Sequence, residues 1–305
     1  NEGIIRHVIW TEYLICPDCG EEISYFEYGT KRNPVTFLKE ISCPKCGNKH
    51  MVDDFNFAKE EYVDNVLGEK CYRKKRRPAW IYGTTGNKKW NRKALNEDYN
   101  DFLKVEEKIS KEKKPRKIEW GELHRSGYHY GIDYLHQFYT SRNYYVFKKL
   151  WDKTEKFDDK IQAALKLLLL SYNSSNCTMM TRVVAKKDSK DFVLTGAQSG
   201  VLYISKLPVE KNILLGLKRK SVPISEAYKL LEKCSGCFDV KNISSAHMEE
   251  NDNTIDYVFT DPPFGDFIPY AEVNQINELW LESKTDRNEE IIISQSQNKG
   301  INEYK

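Results

Sequence analysis

The chain has 305 residues, of which 40% are apolar, 30% charged and 12% aromatic. That suffices for about two folded units with a buried core and excludes wholesale disorder. The longest apolar run, Leu167–Leu170, is far short of the roughly 18 residues of a membrane-spanning helix, and no basic start followed by an apolar stretch marks a secretory signal, so a cytoplasmic protein with no membrane partner is expected. The net charge of +3 hides an asymmetry: Lys70–Trp120 holds 17 Lys/Arg against 7 Asp/Glu, while the remainder holds 31 against 38.

Residues 1–60 read as a short strand, Arg6–Tyr13, followed by a zinc ribbon. Four of the eight cysteines form Cys16-Pro-Asp-Cys19-Gly and Cys43-Pro-Lys-Cys46-Gly, two nearly identical turns with 23 residues between the pairs. Each turn points two thiolates at one place, and two such turns complete a closed tetrahedral site for structural Zn2+. The intervening stretch has room for a hairpin of Ile23–Tyr28 and Val35–Ile41. Cys234 and Cys237 form a lone pair without a second knuckle and read as turn cysteines.

Residues 61–125 form a basic and aromatic segment expected to bind DNA. Arg73, Lys74, Lys75, Arg76 and Arg77 run consecutively, and Trp80, Tyr82, Trp90 and Trp120 come after them. Cations interleaved with rings can grip a phosphate backbone or stack on bases, although a run of charge also suits a solvated linker and the rings a buried strand face. Gly83-Thr-Thr-Gly86 marks a turn, and the lysine-rich stretch Ile109–Lys117 reads as an exposed linker.

Residues 126–305 alternate helical and strand patterns. Phe147, Leu150 and Trp151, then Ile161, Ala164, Leu165 and Leu168, recur at the spacing of an amphipathic helix over 141–173. Val201–Ser205 reads as a strand, Ser225–Lys233 as a helix with a serine cap, and Thr254–Thr260 as a buried strand.

That last strand leads into Asp261-Pro262-Pro263-Phe264-Gly265. Two prolines restrict the backbone, so the loop presents a carboxylate, the Pro262 carbonyl and an aromatic ring rigidly. Such groups suit a planar amine, the two oxygens accepting from an exocyclic NH2 while the ring stacks on its heterocycle. The segment resembles motif IV, Asp-Pro-Pro-Tyr/Phe, of the S-adenosylmethionine-dependent DNA amino-methyltransferases. The stretch from Phe267 to Leu281 is similar to the segment after motif IV in zinc-ribbon-bearing bacterial adenine-specific DNA methylases, and Asp133–Asn143 and Gly200–Ser205 have counterparts there.

The resemblance implies transfer of methyl from S-adenosylmethionine to the N6 of a flipped adenine in DNA, with Asp261, Pro262, Pro263 and Phe264 as the catalytic loop. Asp-Pro-Pro is more typical of adenine enzymes, Ser-Pro-Pro of cytosine-N4 enzymes, and related loops methylate RNA and glutamine. Restriction-system proteins are candidate partners. Ser244 and Ser245, ahead of the motif IV strand, are the candidate cofactor contacts. A methyltransferase of this kind also needs a glycine-rich cofactor loop after its first strand. Neither Gly196–Gly200 nor Gly83–Gly86 lies between an apolar strand and a helix. The chain therefore reads as an internal piece of a longer enzyme: an α/β fold with a partial Rossmann-like methyltransferase sheet, an inserted zinc ribbon and a basic helical region. The rival expectation is a zinc-dependent nucleic-acid-binding specificity module without turnover.

Overall fold

The computed structural model describes residues 3–187, 189–236, 238–241, 243, 247–263 and 265–304. It is a mixed α/β protein organised around one long bent strand, β1 (Ile4–Ile15). The short β2 (Glu22–Ser24) pairs with its far end, and helix α1 (Tyr25–Tyr28) comes next, capped by the Ser24 hydroxyl. Two small hairpins succeed it, β3 (Thr30–Arg32) with β4 (Val35–Phe37) and β5 (Glu40–Ser42) with β6 (Lys49–Met51). The stretch between the cysteine pairs therefore holds more than the single hairpin expected.

The basic segment is built mainly of strands. After β7 (Asn56–Phe57), β8 (Lys59–Asp64) and β9 (Glu69–Lys74) form a hairpin, and β10 (Arg76–Thr85) and β11 (Lys88–Lys93) form another. Helix appears only at α2 (Asn96–Glu106), which corrects the expectation of a basic helical region. Exposed and less exposed positions alternate along β8, and a period of two suits a pleat rather than a helix.

β1 lies between β10 on one side and β14 (Val209–Lys211) on the other, in antiparallel register. The sheet therefore ties the first fifteen residues to segments far along the chain. Trp10 stands opposite Pro78, which has no N–H for a ladder, and the register of β1 shifts between Ile9 and Trp10. The Trp10 N–H faces the opposite side and donates to the Pro208 carbonyl at 2.9 Å, and the proline sits in an interior strand beside this irregularity. All strand ladders among the described residues are antiparallel.

The regular structure of the C-terminal two-thirds is mostly helix: α3 (Ser126–His129), α4 (Ser141–Thr154), α5 (Asp159–Asn176), α6 (Ile213–Leu231), α7 (Tyr270–Val273), α8 (Gln275–Glu278) and α9 (Ile301–Tyr304), with a small hairpin of β12 (Arg182–Val184) and β13 (Val193–Thr195). The helix expected over 141–173 is two. Thr140 caps α4, Asp158 caps α5, and the chain breaks between them. Their apolar faces meet α8 around Phe147, Trp151, Leu169 and Trp280 in the largest core cluster.

Three expected elements differ. Residues 201–205 form no strand, although Leu202 and Ile204 are buried. The helix expected from Ser225 starts at Ile213, where the Asn212 side chain accepts from the Leu215 N–H at 3.1 Å, and it runs through Pro223 on an exposed stretch where water can satisfy the carbonyl that proline leaves unpaired. Thr254–Thr260 is neither buried nor a strand: Tyr257 is 80% and Phe259 83% exposed. An apolar run becomes a buried strand only where a sheet edge meets its backbone groups, and none among the described residues does.

Candidate metal centre and catalytic loop

Each cysteine pair sits at the tip of a hairpin, Cys16 and Cys19 between β1 and β2, Cys43 and Cys46 between β5 and β6. The two turns match in detail. The Gly20 N–H donates to the Cys16 carbonyl at 3.0 Å and the Gly47 N–H to the Cys43 carbonyl at 2.9 Å. Cys16 N–H donates to the Glu21 carbonyl, as Cys43 N–H does to Asn48. Gly20 and Gly47 have φ of 71° and 79°, a left-handed conformation costly for a residue with a Cβ, which is why glycine comes after the second cysteine both times.

These turns bring four thiols together, with all sulfur atoms within 4.8 Å of one another. Cys16 and Cys46 Sγ lie 3.8 Å apart, and Cys19 and Cys43 Sγ 3.6 Å. A tetrahedron with metal–sulfur bonds of about 2.3 Å has sulfurs about 3.8 Å apart, so the cluster fits Zn2+ in size as well as in donor chemistry. Backbone N–H groups of Cys46 and Lys45 favour the Cys43 thiolate and bring its pKa down to about 7. The halves are cross-braced on both flanks: Asp18 accepts from Asn48 at 2.6 Å and His50 at 2.7 Å, and Glu21 pairs with Lys45 at 3.1 Å. With four protein sulfurs no position stays open for substrate, so such a site is structural.

The five consecutive cations lie at the end of β9, at the junction residue Lys75 and at the start of β10, and are committed within the molecule. Arg73 pairs with Glu60 at 2.9 Å and Glu106 at 3.1 Å, Arg77 with Glu60 at 2.7 Å, and Lys75 with Glu22. Lys74 and Arg76 both reach Glu12, at 3.1 and 2.6 Å. Glu12 is 1% and Lys74 4% exposed, and burial pulls the Lys74 ammonium down to about 8. The run is thus a set of internal ion pairs rather than an open basic strip.

Sequence reasoning missed the buried network beside these pairs. Asp64 caps the β8–β9 turn by accepting from the Val66 and Leu67 N–H groups, and it also accepts from Tyr62, from Gln137 at 3.0 Å and from His136 Nε2 at 2.8 Å. Burial works to raise its pKa, but the His136 hydrogen bond and the others hold it down at about 2. These groups line a cavity of about 90 Å³ with Glu60, Arg73 and Tyr144. No local pattern signals the network, because His136 is 72 residues from Asp64.

Asp261 and Pro262 are exposed, and the Pro263 carbonyl accepts from the Tyr304 hydroxyl. Gly265, just beyond the loop, has φ 63°. Phe264, Ser244, Ser245 and Cys237 lie outside the described residues. The segment C-terminal to the loop is firmly packed: Ala271, Gln275, Ile276, Leu279 and Trp280 are all buried. Trp280 Nε1 donates to the Tyr139 hydroxyl at 3.0 Å, and Gln275 accepts from the Glu119 N–H at 2.8 Å. Gly83–Gly86 ends β10 and turns into β11, while Gly196–Gly200 comes after β13 without opening a helix, so neither forms a strand-to-helix cofactor loop. Among the described residues no helix is long and apolar enough to cross a membrane.

Comparisons with protein-family models, with curated proteins and with solved structures found no match to this chain.

Proposed function

We propose that this chain belongs to an S-adenosylmethionine-dependent DNA adenine-N6 methyltransferase, with its four-cysteine ribbon as a structural zinc module and Asp261–Phe264 as the amine-binding loop. One observation carries the reading. The three segments that resemble such enzymes outside the loop, around 133–143, 200–205 and 267–281, converge on one core that includes Tyr139, Leu202, Ile204, Ile276 and Trp280. The loop emerges beside that core, with its proline backbone anchored by Tyr304.

In this reading a flipped adenine offers its exocyclic amine to the Asp261 carboxylate and the Pro262 carbonyl, and its ring to Phe264. As the nitrogen bonds to the methyl carbon, the carbon–sulfur bond would break, the thioether S-adenosylhomocysteine would leave and the surplus amine proton would pass to solvent. The two acceptors draw off the developing positive charge and orientation does the rest, so no covalent enzyme intermediate is required. S-adenosylmethionine supplies the electrophilic methyl. No glycine-rich strand-to-helix loop stands among the described residues to hold it, and the candidate contacts Ser244 and Ser245 lie outside them.

The exposure of residues 254–260 favours a second reading, a zinc-dependent nucleic-acid-binding specificity module without turnover. Calorimetry with S-adenosylmethionine, with subsequent transfer of labelled methyl to duplex DNA, separates the two. Saturable binding with label on adenine upholds the enzyme. DNA binding without either upholds the module.

A further inference from the structure

The stretch Ile109–Lys117 is not the solvated linker its composition suggests. The Glu112 N–H donates to the Val66 carbonyl at 2.9 Å, Leu135 N–H donates to the Arg116 carbonyl at 2.8 Å, and Ile118 N–H to the Asp133 carbonyl at 2.8 Å. Ile109 packs against the main core, and the Arg116 guanidinium lies 4.6 Å from the centre of the Trp280 ring. A fixed loop therefore stands opposite α4, and the two enclose an open cavity of about 340 Å³.

Lys108, Lys111, Lys113 and Lys114 line that cavity from the loop, and Lys148 and Lys149 from the helix. It has only two carboxylates, Glu112 and Asp152, and both are already occupied. Glu112 pairs with Arg116 at 3.2 Å and accepts from Tyr144, while Asp152 pairs with Lys148 at 3.0 Å. Among the described residues, Lys108, Lys111, Lys113, Lys114 and Lys149 have no carboxylate within 4.0 Å. Five uncompensated ammonium groups around one cavity repel each other and focus a positive potential into it.

We infer that this cradle is the phosphate-backbone contact for nucleic acid, and that the five consecutive cations at 73–77 are not. Lysines are flexible point charges that recognise charge rather than the shape of one small anion. They approach from both rims of an open cavity, which suits a continuous strand of phosphates. Duplex DNA carries one charge per roughly 1.7 Å of axis, about twice the density of an extended acidic peptide. The choice of duplex DNA rests on the function proposed above. The site itself rests on charge and geometry.

The test is the salt dependence of binding to a fluorescent duplex by the wild type, Lys113→Gln/Lys114→Gln/Lys149→Gln, and the same three sites changed to Arg. The Gln variant should lose roughly 2.7 from the slope of log affinity against log salt, so that its loss of affinity between 50 and 200 mM salt is smaller by roughly 40-fold, and the Arg variant should keep the wild-type slope. A Gln variant with the wild-type slope would remove the cradle while leaving DNA as the partner. A wild type that ignores DNA but binds polyglutamate through these lysines would overturn both the nucleic-acid assignment and the DNA-directed function. Methyl transfer is scored separately, so loss of turnover with lysine-dependent DNA binding intact sinks only the enzyme reading.

Discussion

Trp280 donates its indole N–H to the Tyr139 hydroxyl at 3.0 Å, joining two segments 141 residues apart. Tyr139 in turn donates to Asn173, and the Asn173 amide donates to the Ile276 carbonyl at 2.9 Å, so the chain of bonds closes back onto the helical turns that carry Trp280. All four groups are buried, where an unmet donor or acceptor is costly. Trp280→Phe keeps most of the packing and should cost about 1 kcal/mol, whereas Trp280→Ala empties the centre of the core and should cost about 3–5 kcal/mol. Urea titration measures both, with an unchanged slope expected for the Phe variant. An Ala variant as stable as the wild type would mean the two segments do not depend on each other.

The four-cysteine cluster should hold one zinc per chain. Elemental analysis should give a one-to-one ratio, and Cys43→Ser with Cys46→Ser should abolish it, because two sulfurs cannot close the tetrahedron. Metal and local fold are coupled, so chelation should raise amide exchange in the knuckles and the hairpins that bear them while the helical core stays protected. Zinc retained by the double variant would refute the assignment.

The knuckles were legible in the sequence because everything that forms them is local: two cysteines three positions apart and a glycine that permits the left-handed turn. The amphipathic repeat of α4 and α5 was legible for the same reason. The fate of Arg73–Arg77 was not, because Glu60 lies 13 residues from Arg73 and Glu12 lies 62 from Lys74. Whether a cation is free depends on carboxylates that only the fold brings near. The lysine loop illustrates the converse, a stretch whose composition suggests a linker but whose backbone is held by Val66 and Asp133. The Asp-Pro-Pro loop stands out in the sequence, yet the strand expected before it depends on a sheet edge that no local pattern can supply.

Glu12 holds Lys74 and Arg76 together in the interior, so Glu12→Ala should leave two buried cations without a counter-charge and cost about 3–5 kcal/mol. Changing all of Arg73, Lys74, Lys75, Arg76 and Arg77 to Ala should likewise lower the thermal midpoint, since it strips the partners of Glu12, Glu22, Glu60 and Glu106. Calorimetric unfolding reads both. If the five-site variant melts with the wild type and instead loses its affinity for DNA, the run is a binding surface after all.

His129 makes the fold sensitive to mild acid. Its ring is buried, with Nδ1 accepting from the Arg125 N–H at 3.0 Å and Nε2 donating to the Leu202 carbonyl at 2.6 Å, so the neutral tautomer is fully satisfied. Burial lowers its pKa from 6.5 to about 4. Between those values the unfolded chain binds a proton that the folded chain does not. Stability from this residue is therefore complete above pH 6.5 and is lost as pH falls towards 4, by roughly 3 kcal/mol at most. His129→Gln should lower stability at pH 7 and flatten the decline between pH 6.5 and 4. A variant whose stability falls as steeply as the wild type over that range would assign the acid sensitivity to other groups.

The chemistry proposed for the loop predicts a separation of turnover from binding. Asp261 is exposed and makes no ion pair among the described residues, so its loss should leave the fold intact. Asp261→Ala should abolish methyl transfer and leave the affinity for duplex DNA within a few-fold of wild type, because the carboxylate addresses the amine and the lysines address the backbone. Asp261→Asn keeps one acceptor but no charge and should fall between, since developing positive charge on the nitrogen is then less well met. Phe264→Ala should weaken the hold on the flipped base by roughly 1–3 kcal/mol, whereas Phe264→Tyr or Phe264→Trp keeps a stacking face and should retain activity. Labelled methyl counted on digested nucleosides reads every one of these variants. Full activity in Asp261→Ala would remove this loop from the reaction. Label on cytosine would change the base while leaving the loop its role, and label on RNA or protein but never on DNA would change the substrate.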